Sequence, residues 1–208
     1  MKMLLKSVIT AAALAVPSIA AATTWDIDPA HSSAQFTVTH MLITKVKGEF
    51  GKVTGTVNLD DKDASKSTVA ASIDTTTVNT NEADRDKHLK GPDFFDVEKY
   101  PAMTFKSTSV KAAGKSKFKI VGDLTLHGVT KPVTLDVESA STEVKDPWGG
   151  TRRGASATTK LNRKDFGLTW NKLLETGGAV VGDEVAVTLD LQLIKKAPAA
   201  APAAQDAK

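Results

Sequence analysis

The residues most able to do chemistry are four histidines, His31, His40, His88 and His127, in a chain of 208 residues without cysteine. Zero cysteine excludes disulfides, Cys-built zinc sites, iron–sulfur clusters, thiol nucleophiles and a lipid carried on an N-terminal Cys. His31 and His40 stand nine residues apart. On one straight strand that is roughly 30 Å and opposite faces, so the two would not share an ion unless the chain bends. No helix presents two His at the spacing of a zinc protease, and no Gly-rich phosphate loop opens a helix. There is no G-x-S-x-G elbow. Ser32 follows His31 directly, and adjacent strand residues face apart, so that pair is not a dyad. Asp28, Asp93 and Asp96 could each pair with a His, but the same residues serve as turn and cap formers. These patterns give catalysis no positive signal, and neither a metal nor a cofactor is expected.

Cations beside aromatics form a second pattern. Arg85, His88 and Lys90 precede Phe94 and Phe95, and Arg163 and Lys164 precede Phe166 and Trp170. Such segments can cover one end of a cavity, with aromatics inward and cations at the rim. The alternative is an ordinary solvated face, with Phe94 and Phe95 plugging a core.

The elements that would position these groups read with a period of two. Ala34, Phe36, Val38 and His40 alternate with polar residues, as do Val53, Gly55, Val57 and Leu59. Val69, Ala71 and Ile73 follow; then Met103 and Phe105; then Phe118, Ile120, Gly122, Leu124 and Leu126. Val133 to Val137, Ala155 to Leu161, and Val185 to Leu193 complete the series. These are half-buried strands with one apolar face. Short turns such as His127-Gly128 make neighbours antiparallel. One segment breaks the period: 81–97 reads as a short helical insert, with Asn81 as N-cap and Gly91-Pro92 as its end. About eight antiparallel strands favour a closed barrel over a sandwich, because closure removes the edges. The small inward residues Ala34, Gly55, Ala71, Gly122, Ala155 and Ala157 leave a lumen or mark close packing of a solid core. Composition does not separate the two.

The ends differ from the body. Met1 to Lys6 is basic, Ser7 to Val16 apolar, and Ser18 to Ala22 small, the order of a secretory signal with cleavage near Ala22. The expected location is the periplasm, with no stable membrane anchor. Residues 195–208, interrupted by Pro198 and Pro202, read as a flexible Ala/Pro-rich tail. Five of the 27 basic residues but only one of the 24 acidic ones lie in 1–22 and 195–208. The body between is therefore close to neutral, which argues against a nucleic-acid partner.

Together these residues resemble the YceI-like, or polyisoprenoid-binding, family of secreted bacterial proteins. The resemblance rests on Trp25-Asp26-Ile27-Asp28-Pro29-Ala30-His31-Ser32, Phe36 to His40, Val46 to Phe50, Arg85 to Leu89, and Phe94-Phe95-Asp96 with Tyr100-Pro101. It continues in Gly122 to Val133, Asp146-Pro147-Trp148-Gly149 and Arg163 to Asn171, covering nearly all of 24–194. It implies an all-β, eight-stranded antiparallel lipocalin-like barrel over 23–194, enclosing an elongated apolar tunnel. It further implies a carrier of long-chain isoprenoid, quinone-like or fatty amide-type lipids, without catalytic residues.

The strand faces place Phe36, Val38, Val57, Met103, Phe105, Ile120 and Leu124 along the tunnel. The mouth would hold Arg85, His88, Phe94, Phe95, Phe166 and Trp170, with Arg85 as anchor if the ligand head is a phosphate, and His40 is a further candidate contact. Two other readings stay open: an enzyme using His31, His40 or His88 as acid or base on such a lipid, and a solid-core interaction module. Monomer and homodimer are both compatible with the sequence.

Overall fold

The computed structural model describes residues 22–139, 142–175 and 177–197. The export signal read in 1–22, save Ala22, and the tail from 198 onward lie outside the described residues.

The alternating segments become β1 (Thr23–Ile27), β2 (Ser33–His40), β3 (Thr44–Phe50), β4 (Val53–Leu59), β5 (Thr68–Asp74) and β6 (Val78–Asn79). Helix α1 (Ala83–Lys90) then precedes β7 (Ala102–Gly114), β8 (Lys117–Leu126), β9 (Val129–Ser139), β10 (Val144–Lys145), β11 (Thr151–Asn162) and β12 (Val181–Lys195). The twelve strands of the described residues form eight staves. β12 pairs with β1 at Ile27↔Leu193 and with β2 at Ser33↔Asp190, so β1 and β2 are one stave bent at Asp28–Ser32. β3 and β4 form a second bent stave, because β2 pairs with β3 and β1 with β4. β5 and β6 form a third, along β4 and β3. The ring continues through β7, β8, β9 and β11 and closes on β12, antiparallel throughout. The expected eight-stranded barrel is the fold. The small β10 continues the β9 stave along β11.

The first bend is held by a buried carboxylate. Asp28 accepts hydrogen bonds from Arg152 Nη1 at 2.6 Å, from Gln192 Nε2 at 3.0 Å and from the Ala30 N–H at 3.0 Å, and lies 2.9 Å from His31 Nδ1. Burial alone would raise its pKa. The bonds from His31, Ala30, Arg152 and Gln192 outweigh burial and hold it at about 2. Arg152 Nε also donates to Asp146 at 2.7 Å, so the bend of the first stave is tied to β11, to β12 and to the turn before β11. At the chain's far end, Lys195 pairs with Trp25, and the Lys196 N–H donates to Thr24 O at 2.9 Å. The barrel thus extends one to two residues into the stretch expected to be tail.

Outward positions carry charge, as in the Lys119–Asp136 and Lys160–Glu184 pairs between neighbouring strands. An apolar inside and a charged outside is the reverse of a lipid-facing barrel. Trp25, wholly buried, closes the interior near the start of β1, with Arg153 and Lys195 over its ring at 5.5 and 5.3 Å.

The helical insert caps the opposite end. Its N-cap is Glu82, whose carboxylate accepts from the N–H groups of Asp84 and Arg85. The expected cap, Asn81, instead sits in the left-handed region (φ 60°) and its N–H donates to Asn79 Oδ1. Glu82 takes the cap because its backbone is extended there, as an N-cap requires, whereas that of Asn81 is left-handed. The helix ends at Gly91, ahead of Pro92, as the sequence reads.

Candidate ligand cavity

The interior is a cavity of about 770 Å³ and not a solid core. That lies in the upper part of the range for small-molecule sites, about 300–1,000 Å³. Every stave contributes apolar side chains: Ile27 and Val38, Val46 and Val57, Val69 and Ile73, Met103 and Phe105, Ile120 and Leu124, Val133 and Leu135, Ala155 and Leu161, Val187 and Leu191. On β12 the lining runs from Val181 to Leu193. That is roughly 40 Å of strand, or about 30 Å of axis at a typical barrel tilt.

Two of the lining aromatic side chains, Phe36 and Phe105, lie against the wall over glycines. Phe36 is paired with Gly48 across β2 and β3. A Cβ on Gly48 would come within 2.4 Å of the Phe36 ring. Phe105 covers Gly122 in the same way, again at 2.4 Å, and the Lys106 carbonyl stands 2.6 Å from that same position. A ring lying over a glycine projects less into the interior than one standing on a neighbouring side chain. This corrects two expectations: Gly122 lies beneath Phe105, Gly55 packs against the Ala70–Ala71 backbone of β5, and neither lines the cavity. Ala34, Ala71, Ala155 and Ala157 do line it.

All fourteen residues singled out in the sequence border this one cavity: Phe36, Val38, His40, Val57, Met103, Phe105, Ile120 and Leu124 on strands, and Arg85, His88, Phe94, Phe95, Phe166 and Trp170 at the capped end. The two lid segments meet there. Phe94 and Trp170 have ring centroids 5.2 Å apart, and His88 stands edge-on to both, at 5.0 and 4.8 Å. Phe95 packs edge-on against Phe50, which reaches Phe36.

Of the cations expected at the rim, Arg85, Arg163 and Lys164 are bonded within the protein, while Lys90 does not border the cavity. Arg163 is buried, 6% exposed, and its guanidinium donates to the carbonyls of Gly182, Leu168, Trp170 and Val181 and to Asp183. Desolvation lowers its pKa, with Asp183 opposing. Its role is to staple the segment 167–182 to the end of β11, because a five-donor fork can satisfy several carbonyls that no strand partner reaches. Lys164 pairs with Asp183 at 2.9 Å. Arg85 borders the cavity but spends Nε and Nη2 on the Oγ1 and O of Thr80, at 2.8 and 3.0 Å; Thr80 in turn donates to Asp86. Among the described residues its Nη1 makes no further bond.

The histidines separate. His31 is at the outer bend with Asp28, away from the cavity. His127 occupies the β8–β9 turn with Gly128, both at positive φ (51° and 75°), where Tyr100 packs on it at 4.8 Å. His40 and His88 border the cavity, and His88 Nε2 lies 2.9 Å from Asp93 Oδ2. Asp96 pairs with Lys99. Among the described residues no three His or carboxylate groups gather to hold a metal.

Two sets of lining residues were missed. Val110 and Ala112 line the cavity although the strand reading stopped at Phe105. A bulge at Ser107–Ser109 inserts a residue and shifts the inward phase from odd to even numbers. Arg153, with Asp60, Asp61 and Lys62, makes a charged floor opposite the lid, Arg153 lying 3.7 Å from Asp61. Its phase with Ala155 and Ala157 is the signal that could have found it.

Comparison with known proteins agrees with this architecture. A YceI-like domain model matches residues 25–193. The chain belongs to the YceI-like family. A UPF0312 protein of Vibrio cholerae is 41% identical over 170 residues, 81% of this chain and 89% of that one. The crystal structure of a YCEI protein from Campylobacter jejuni superposes with a TM-score of 0.64 at 30% identity, covering 76% of this chain and 90% of that one. A polyisoprenoid binding domain from Saccharophagus degradans, implicated in plant cell wall breakdown, shares the YceI-like fold with a TM-score of 0.59. It covers 83% of this chain and 98% of its own length, at 17% identity.

Proposed function

We propose that this YceI-like protein is a periplasmic carrier that sequesters a long-chain isoprenoid, or a related quinone-like or fatty amide-type lipid, inside the barrel. It acts as a binding protein and not as an enzyme. The observation that carries this reading is the 770 Å³ cavity with apolar residues on every stave and a lid of aromatics. The fold shared with a domain named for polyisoprenoid binding supports the ligand class. The basic, apolar and small-residue order of 1–22 supports export, with cleavage near Ala22.

The energetics fit an apolar chain. Each buried CH₂ contributes about 0.8 kcal/mol, so one five-carbon unit gives a few kcal/mol gross. Two or three units offset an association cost of about 4–15 kcal/mol. Length selection falls to the lumen, and head-group selection to His40 and Arg85 at the lid. His88 serves there as packing, wedged edge-on between Phe94 and Trp170.

The test is solvent extraction of protein purified from its own cells, with mass spectrometry of the extract and N-terminal sequencing of the chain. A polyprenyl or quinone-type lipid near one per barrel, on a chain starting near Thr23, is expected. A lipid-free protein that also fails to take up polyprenyl lipid overturns the carrier reading. Met1 retained on most molecules overturns export.

A further inference from the structure

The β2–β3 hairpin turns on three apolar residues, Met41, Leu42 and Ile43, which are 41%, 66% and 83% exposed. Leu173, 86% exposed, stands on the neighbouring segment. The two segments are joined: the Met41 N–H donates to Val180 O at 2.7 Å, the Val180 N–H donates to Lys172 O at 2.9 Å, and Leu42 Cδ1 lies against Gly178. Together they form one apolar tip at the lid end, directly next to the cavity-lining residues His40, Val180 and Val181.

Two further observations concern what meets this tip. Met41 and Leu42 both adopt positive φ, 50° and 66°. A turn with two such residues is the natural place for Asn-Gly, and large aliphatic side chains there are strained. Turn formation therefore does not account for their presence. Around them, Lys45, Lys47 and Lys172 are exposed and make no ion pair among the described residues. Val46 points into the lumen, so Lys45 and Lys47 point outward. The segments 37–47 and 167–180 contain a single acidic residue, Glu175, against these three lysines.

We infer that the Met41–Ile43 tip, with Leu173 and the surrounding lysines, docks the barrel's lid end onto an anionic lipid bilayer. Aliphatic side chains inserted at the level of the headgroups, with lysines on lipid phosphates, are the chemistry of an interfacial anchor. Four side chains fall well short of the roughly 800 Å² per partner of a standard protein interface, which disfavours a second copy as occupant. The inference rests on the carrier reading, since a lipid drawn from a bilayer would enter by the docked end.

The test is co-sedimentation of the purified protein with vesicles of phosphatidylglycerol and phosphatidylethanolamine, and with vesicles of phosphatidylcholine alone. Wild type is expected to bind the anionic vesicles, more weakly as salt rises, and the neutral ones poorly. Leu42→Asp with Ile43→Asp, and separately Lys45→Glu with Lys47→Glu, should each cut binding at least about tenfold. Met41→Asn with Leu42→Gly supplies the control for folding: it relaxes the turn, so melting temperature should hold or rise while vesicle binding falls. Ala71→Leu, which fills the lumen, should lower bound lipid and leave docking intact, which separates failure of docking from failure of the carrier reading. Wild type that ignores anionic vesicles, or tip variants that bind as wild type does, overturns the inference. So does a dimer in solution that the tip variants dissociate, without vesicle binding.

Discussion

Phe105 lies over Gly122 on the adjacent strand so closely that a methyl group on the glycine would sit 2.4 Å from the ring. The contact joins sequence to function directly: a missing side chain on β8 lets an aromatic on β7 recline, and the space left over belongs to the cavity. Gly122→Ala must push the ring inward and also meets the Lys106 carbonyl. Its expected cost is about 1–3 kcal/mol of stability, as for other overpacked sites. Urea denaturation checks this. A fully stable variant would show that the strands separate more easily than their spacing implies.

Ala71 behaves differently because it borders open volume. Ala71→Leu is expected to leave the melting temperature within a few degrees of wild type and to lower the lipid recovered by solvent extraction. Unchanged lipid content in the folded variant would place the ligand away from β5.

Arg163 is a structural cation. Arg163→Lys keeps the charge but loses the fork, leaving carbonyls among those of Leu168, Trp170 and Gly182 without this donor, whereas the Val181 carbonyl keeps Asn171 Nδ2 at 2.7 Å. The expected loss is about 2–4 kcal/mol, with earlier exposure of the Trp170 segment. Hydrogen exchange across 167–182 reads it out, and protection equal to wild type would refute the stapling role.

Arg85 has a double assignment, holding Thr80 through Nε and Nη2 and bordering the cavity. If the ligand head is a phosphate, Arg85→Ala should weaken the phosphorylated isoprenoid about ten- to a hundred-fold and its neutral counterpart far less. Equal losses for both would show that its bonds to Thr80, and not the head group, set the effect.

Asp28 makes stability depend on acid. Its folded pKa of about 2 lies below the ordinary 3.8. Its contribution is therefore complete above about pH 4 and is lost as pH falls through about 2, amounting to about 2 kcal/mol. Asp28→Asn should be less stable by about that amount at neutral pH, with the difference vanishing at the acid end. Denaturation curves across that range test it, and a constant gap would assign the effect to shape instead of charge.

Much of this was legible in the residues. The alternation of Phe36 with Val38, or Leu189 with Leu191, needs only the strand period to predict an inward face, and Gly91-Pro92 needs only helix stereochemistry to predict a stop. The YceI-like resemblance then joined separated motifs into one barrel. What could not be read depends on neighbours distant in sequence. Gly122 shares its strand phase with Ile120 and Leu124, and only the position of Phe105 removes it from the lumen. Val110 changes face through a bulge that has no proline or glycine to mark it. Arg163 looks like any surface cation beside an aromatic until the carbonyls of 168–182 fold around it.

The pairing of Trp25 with Lys195 sets a condition on synthesis. Some 170 residues separate the partners, so the first stave has no final neighbour until the last one has been made. Contacts that distant form late and slowly. Until then two edges stand open and the apolar faces meant for a lipid are wet, a state prone to joining other chains edge to edge. A nascent chain halted before Val181 therefore lacks more than one strand: it has no inside.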